Sequence, residues 1–371
     1  MKLDFLLDKL DERKKRGNLR QLKPTSNLID FVSNDYLGLS QNEALSHRIK
    51  TRLHSESIPN GGTGSRLLSG NHGWYHEAEE MLTKVLKSES VLLFNSGYAA
   101  NQALVSAVAD KGDTILYDLL SHVCLKEGAW LSRADSIAYR HNDLEDLESR
   151  LKRVRGRCFV LTESVFSMDG DIAPLEDIIN LCEQYGAYLI VDEAHSTGAL
   201  GEGGGGMLVE ERLQDRVFAR VYTFGKAMGV HGACVAGSQI LTEYLINFGR
   251  PFIYTTSLPP HSVISITESF KFLGEHMSLQ DELKSKISLF QSNWASAKSN
   301  TAIQPVMIGN NEKARKISSD LQLVGYDVRP ILSPTVGAGT ERLRISLHVH
   351  NDDQQILSLC IKLNDLIKES T

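Results

Sequence analysis

The sequence predicts an α/β fold: a mostly parallel sheet covered by helices on both faces, with a smaller α+β unit at its C-terminal end. Two observations carry this. From about residue 90 the short apolar runs VLLF, TILY, SIAY, CFVLT, AYLIVD and RVYTF alternate with segments of helical spacing, the pattern of strands joined by crossover helices. At 371 residues with 42% hydrophobic and 23% charged side chains, the chain is long enough for a large buried sheet plus an appendage.

The elements follow in order. Leu3, Leu6, Leu7 and Leu10 share one face of an expected amphipathic helix over roughly the first 20 residues. The ERKKR cluster after them reads as a solvated helix face. LIDFV is a short strand leading into SNDYLGLS, a helix is expected near 43–54, and the glycine-rich NGGTGSRLLSG follows. After the alternating region, two longer helical segments near 260–300 break the rhythm. AIQPVMIG, a helix at 311–324, YDVRP, RLRISL and a last helix at 353–368 then form the expected α+β unit.

Composition excludes several classes. A formal net charge of −6 gives no bulk attraction to nucleic acid or to an anionic membrane. No apolar run approaches the ~18 residues needed to span a bilayer, and Asp4 and Asp8 interrupt any secretory apolar stretch. Cys124, Cys158, Cys182, Cys234 and Cys360 form no CxxC pair and read as reduced core thiols of a cytoplasmic protein.

Three motif readings fail on their surroundings. VDEAH at 191–195 matches the string of DEAH helicases, but no GxxxxGK[ST] loop precedes it, and Ala227 follows the GK at 225–226. Gly201, Gly203 and Gly206 match GxGxxG inside GEGGGG, yet they start nine residues after Asp192 rather than on the strand-to-helix turn; a flexible surface loop is the expectation. His72, His76 and Glu77 resemble half a metal site with no third ligand at a recognisable spacing, so no metal is expected.

What remains is a constellation. Asp192 ends a buried strand, His195 follows three residues later, and Lys226 lies in the small-residue loop TFGKAMG after another strand. A lysine near its unperturbed pKa of ~10.4 is no nucleophile, but burial lowers that pKa and permits a Schiff base with an aldehyde. Pyridoxal 5'-phosphate needs such a lysine and an aspartate at its ring nitrogen. Its phosphate needs donors, and SGYAANQAL at 96–104 offers a helix N-terminus, with Gly97 and Tyr98 at its start. His122 follows the next strand and can stack on the ring.

FVSNDYLGLS, GTGSRLLSGNHGWYHEAEE, FNSGYAANQAL, LLSHVCLKEG, HNDLEDLE, TESVFSMDGDIAPL, VDEAHSTGALG, YTFGKAMGVHGACVAGS and RPFIYTTSLPP together span nearly the whole chain. In that order they resemble the α-oxoamine synthases, fold-type I pyridoxal phosphate transferases of aspartate aminotransferase-like architecture. These enzymes condense an amino acid with an acyl-CoA, losing CO2. The resemblance implies Lys226 as the covalent cofactor lysine, Asp192 at the pyridine nitrogen, His195 at the ring oxygen and His122 stacked on the ring. It places Ser167 in the cofactor shell and Thr223 on the phosphate with the Gly97–Tyr98 backbone. It also implies Arg344 on the amino-acid carboxylate, Asn34 facing substrate, and Arg20 and Thr335 on the acyl substrate.

By the same resemblance the chain divides into an N-terminal segment 1–45, a large cofactor-binding domain 46–250 and a C-terminal domain 251–371. The cofactor site would be completed across a homodimer interface by YTTSLPP. PTVGAGTERLRISL looks most like the branch using L-alanine with pimeloyl-CoA or its carrier-protein thioester. Sister activities use glycine with acetyl-CoA or serine with palmitoyl-CoA, and a catalytically silent partner subunit is the alternative of another class. Lys226 argues against the last. Ser164 stands where the family more often has glycine, and Gly206 lies in a region that often carries an arginine.

Overall fold

The computed structural model describes residues 3–22 and 27–369. In chain order the strands are β1 (Ile29–Asp30), β2 (Ser90–Phe94), β3 (Thr114–Asp118), β4 (Asp135–Tyr139), β5 (Cys158–Glu163) and β6 (Tyr188–Asp192). Then come β7 (Ala219–Thr223), β8 (Ala233–Gly237), β9 (Ile303–Met307), β10 (Tyr326–Asp327), β11 (Arg329–Ile331) and β12 (Arg342–Ser346). Seven of them form the main sheet in the order β2-β8-β7-β6-β5-β3-β4.

Neighbours from β7 through β4 run parallel, whereas β8 is antiparallel to both β2 and β7. The expected mostly parallel sheet is therefore observed, with one reversed strand that the run-by-run reading did not include. ACVAG, the sequence of β8, is a short stretch of small residues in which Val235 is the one branched side chain to advertise a strand.

Every residue of β5 and β7 is buried, because helices cover both faces. One face packs Leu104, Val105, Leu125 and Ala129 of helices Gly97–Val108 and Val123–Leu131 against Leu161, Ile190 and Val221. The other packs Leu82, Leu147, Ile179 and Phe270 against Val160, Val191 and Tyr222. Burying each such Leu, Ile or Phe stabilises the fold by about 1.5–3 kcal/mol.

The C-terminal unit is a three-stranded antiparallel sheet, β11-β12-β9, and β1 pairs in parallel with β10. That pairing ties the N-terminal segment, with Asn34 and Tyr36, to the C-terminal one. The first helix, Asp4–Lys15, is present as expected but buries nothing, and Leu3, Phe5, Leu6, Leu7 and Leu10 all stay exposed. Among the described residues no helix is long and apolar enough to cross a membrane.

The glycine run needs correcting. Gly204, Gly205 and Gly206 are buried, not part of a flexible surface loop. Gly206 sits at φ 87°, and a Cβ there would lie 2.8 Å from Glu193 Oε2. A left-handed backbone against a carboxylate leaves room for glycine alone. His72 lies against Trp74 and Tyr75, His76 is exposed beside Asn71, and Glu77 pairs with Arg52 and Lys271.

Candidate active site

The C-terminal ends of β3, β5, β6 and β7 open onto one cavity of about 280 Å³, the position where open α/β sheets bind ligands. Asn34, Gly97, Tyr98, Asn101, His122, Glu163, Asp192, His195, Thr223 and Lys226 all line it. Eight of the residues singled out from sequence thus meet in one place.

Asp192, the last residue of β6, is buried, and both carboxylate oxygens are held. Oδ1 accepts the Ala194 amide at 2.9 Å and Oδ2 accepts the Asn101 side-chain amide at 2.6 Å. Beside it in parallel register ends Glu163 of β5, which accepts the His122 amide at 2.5 Å. Burial first, and the neighbouring Asp192 second, raise the Glu163 carboxyl to about 8. The two carboxyls thus lie side by side at the sheet's end, Asp192 with two donors and Glu163 with the His122 amide.

Lys226 follows β7 and donates to Thr223 Oγ1 at 3.3 Å. Among the described residues no carboxylate pairs with its amine within ion-pair distance. Burial lowers its pKa, opposed by the charges of Asp192 and Glu163. Thr223 in turn packs against the start of helix Gly97–Val108, where a Cβ on Gly97 would lie 2.2 Å from Thr223 Cγ2. Ser96 caps that helix by accepting the Ala99 amide at 3.2 Å, so the first turn stays formed with amides facing the cavity.

His195 is buried and held neutral, its pKa driven well below the usual value by burial and by nearby Lys226 and Arg344. Its Nδ1 lies 2.7 Å from the Tyr36 hydroxyl, which donates to Asn34 Oδ1 at 3.1 Å. Arg344 of β12 closes this chain. Its guanidinium donates to Ser167 O at 2.6 Å, Ser346 Oγ at 2.9 Å, Asn34 Oδ1 at 3.0 Å and the Tyr36 hydroxyl at 3.4 Å, which leaves one N–H over. Arg344 is one hydrogen bond behind the cavity wall rather than on it. Ser167 enters through its backbone carbonyl.

Two expected residues are not brought here. Arg20 and Thr335 are exposed and line no part of the cavity. Three residues that the sequence reading passed over are: Asn101, Glu163 and Tyr36. Tyr36 sits in the same NDYLG stretch as Asn34, so that signal was available. Glu163 becomes visible only once β5 is set beside β6.

The second acid of DEAH has its own role. Glu193 is fully buried and accepts from the Met207 and Leu208 amides at 2.9 and 2.8 Å and from Ser164 Oγ at 2.9 Å, with Ser196 Oγ also bonded to it. The two departures from the family pattern, Ser164 and Gly206, therefore both touch Glu193: one supplies a hydroxyl and the other makes room. Burial raises its pKa and these donors offset the rise.

The pattern of aminotransferase class I and II matches residues 26–363. An 8-amino-7-oxononanoate synthase from Methylobacillus flagellatus is 38% identical, covering 98% of this chain and 96% of its own. The chain belongs to the α-oxoamine synthases, within the class I and II aminotransferase family. Two solved structures agree. Serine palmitoyltransferase from S. paucimobilis with bound PLP–myriocin aldimine superposes with a TM-score of 0.89 at 26% identity, covering 99% of this chain and 97% of that one. An 8-amino-7-oxononanoate synthase from Francisella tularensis gives 0.79 at 29% identity, over 92% and 98%. This α-oxoamine synthase thus has the fold of pyridoxal phosphate transferases, and its cavity fits that cofactor. It offers an amine without an acid partner, a carboxylate fixed by two donors, and a helix start pressed so close to Thr223 that a methyl group has no room.

Proposed function

We propose that this α-oxoamine synthase uses pyridoxal phosphate to join L-alanine to a pimeloyl thioester, releasing 8-amino-7-oxononanoate, CO2 and the thiol that carried the acyl group, CoA or a carrier protein. The observation that carries the reading is the single hydrogen-bonded chain from Arg344 through Asn34 and Tyr36 to His195, beside Lys226 and Asp192. It supports a small α-amino acid held by its carboxylate with its α-carbon near the lysine amine.

When bound, the cofactor supplies an electron sink for the pair of electrons left at the amino acid's α-carbon. Asp192 keeps a negative charge at the ring nitrogen, and Asn101 and the Ala194 amide hold that charge in place. Neutral His195 donates or accepts at the ring oxygen, with Tyr36 fixing its orientation. Lys226, whose pKa burial lowers, stands where its amine can take the α-proton as general base. His122 would cover the ring, Thr223 and the Gly97–Tyr98 amides would hold the phosphate, and the Arg344 guanidinium would meet the carboxylate with its remaining N–H and its charge.

The substrate choice is supported by the 38% identity to enzymes named 8-amino-7-oxononanoate synthase. The serine palmitoyltransferase likeness favours a second reading, serine with a long acyl chain, which identity supports less. An apolar tunnel for palmitoyl would reject the second carboxylate of pimelate through desolvation. Arg20 and Thr335, on the exposed side of the chain, would meet the acyl substrate. We also infer a homodimer, supported by the uncovered Leu3–Leu10 helix face and by exposed Leu67, Leu68 and Tyr254. A panel of amino acids and acyl thioesters, read by CoA release, tests the assignment. Alanine with a pimeloyl thioester should give the highest kcat/KM, and a higher value for glycine with acetyl-CoA or serine with palmitoyl-CoA would reassign it.

A further inference from the structure

His141 directly follows β4 and bridges two carboxylates from different parts of the chain. Its Nδ1 lies 2.9 Å from Asp118 Oδ1 at the end of β3, and its Nε2 lies 2.6 Å from Asp171 Oδ2. Asn142, in the left-handed region at φ 50°, braces the same pair. Its amide donates to Asp118 Oδ2 at 2.9 Å and its side chain to Asp171 Oδ2 at 2.9 Å. Phe166 presents its ring edgewise to His141 at 4.4 Å. Both imidazole nitrogens can donate to carboxylates only when the ring is charged. The two acids hold it so, with a pKa raised to about 9.

Asp171 belongs to a tight strap, residues 164–173, closed by the Val165–Ile172 bridge. Within it the Phe166 amide donates to Asp171 O and the Gly170 amide to Phe166 O, each at 2.9 Å. The opposite side of the strap meets the C-terminal sheet: Ser167 O accepts from Arg344 and Asp169 pairs with Arg342. Ser299 and Thr301 hydroxyls donate to Gly170 O at 2.9 and 3.0 Å. The strap is thus pinned on one side by His141 and on the other by the arginines of β12.

We propose that His141 is a positioning residue for amino-acid binding: it anchors the strap whose Ser167 carbonyl aims the Arg344 guanidinium. This rests on the reading of Arg344 as the carboxylate site. Release of Asp171 frees the strap to follow the C-terminal sheet, and Arg344 then loses the fixed carbonyl that orients its fork. Besides Asp118, Asp171, Asn142 and Phe166, the charged groups near enough to act on this network are Lys126 and Glu163, through Asp118.

The test uses the cofactor-loaded enzyme, with L-alanine affinity read from the cofactor absorbance and kcat from CoA release. In His141→Gln, whose amide cannot donate to both acids, alanine affinity should fall about 10-fold near neutral pH, the loss of one charge-assisted contact. The value of kcat should stay within about twofold and cofactor affinity should not change. Exchange of the Phe166 and Gly170 amides should quicken. As pH rises through about 9 the wild-type imidazole loses its proton, so the gap between wild type and variant should close. A gap that stays constant through that range would mean a merely structural histidine and would overturn the proposal. So would unchanged alanine affinity near neutral pH.

Arg344→Lys separates the two readings. If it binds alanine as tightly as wild type, the carboxylate reading fails and the proposal falls with it. If it weakens binding while His141→Gln does not, the proposal alone fails. Should His141→Gln not fold, Asp171→Asn removes the same charge pair from the other side, and the same expectations decide.

Discussion

Asn101 donates its side-chain amide to Asp192 Oδ2 at 2.6 Å while its own buried Oδ1 has no partner among the described residues. A buried orphan acceptor costs about 1–3 kcal/mol, so the position is kept for what it does to Asp192. Together with the Ala194 amide it fixes the carboxylate beside Glu163. Asp192→Asn keeps the shape and removes that charge. Losing one charge-assisted contact of about 1.5–3 kcal/mol predicts a fall of roughly 10- to 150-fold in kcat, before any change in ring electronics. Steady-state kinetics within threefold of wild type would show that Asp192 does not face the ring nitrogen.

Gly97 and Thr223 give a paired prediction. The methyl of Gly97→Ala would lie 2.2 Å from Thr223 Cγ2, so either the helix start or the threonine must move. Cofactor affinity should fall about 10-fold or more, since a displaced helix N-terminus no longer points its amides at the phosphate. Adding Thr223→Ser removes the clashing methyl and keeps the hydroxyl. The double variant should regain most of the affinity of Thr223→Ser alone in fluorescence titrations of the apoprotein. No recovery would mean that the clash is not the cause.

Glu163 makes stability depend on pH in a definite direction. Its carboxyl ionises near 4.5 when unfolded and at about 8 when folded, so the unfolded chain gives up this proton first as pH rises. The stability that protonated Glu163 contributes is present below about 4.5 and is lost progressively as pH climbs to about 8. Glu163→Gln cannot ionise. The melting temperature of the apoprotein variant, relative to wild type, should therefore increase between pH 5 and pH 8. A difference that is flat, or that falls over this range, would contradict the buried carboxyl pair.

Much of this could be read from residues in order. The strand runs fall where the main-sheet strands lie, and Asp192, His195, Lys226, His122 and the Ser96–Gly97 turn all belong to local motifs at strand ends. What lay hidden depended on neighbours in space. Glu163 looks like an ordinary strand-terminal acid until β5 is placed against β6, and Asn101 gains meaning only from the helix that carries it over Asp192. The buried glycines of 204–206 read as a surface loop because sequence gives no sign that Glu193 packs against them. Arg342 and Arg344, two apart on β12, both reach the same strap, at Asp169 and Ser167.

Arg344 should resist conservative replacement. Its donors fan out to Ser167, Ser346, Asn34 and Tyr36 in one plane, a geometry that lysine cannot imitate. Arg344→Lys should raise the amino-acid KM by about 10-fold or more and leave the acyl-thioester KM within twofold. If the acyl-thioester KM takes the larger change, the carboxylate assignment is wrong.

Lys226 carries the account. Its amine faces the cavity beside Thr223, without an ion-pair partner and with a lowered pKa, which is the state needed to hold the cofactor covalently. The decisive measurement is borohydride reduction of the loaded enzyme followed by peptide mass spectrometry. The yellow absorption should bleach, and the reduced pyridoxyl mass should sit on the peptide containing Lys226. Lys226→Ala should retain some cofactor through the remaining contacts and show no turnover. A reduced adduct on any other lysine, or turnover by Lys226→Ala, would contradict the account.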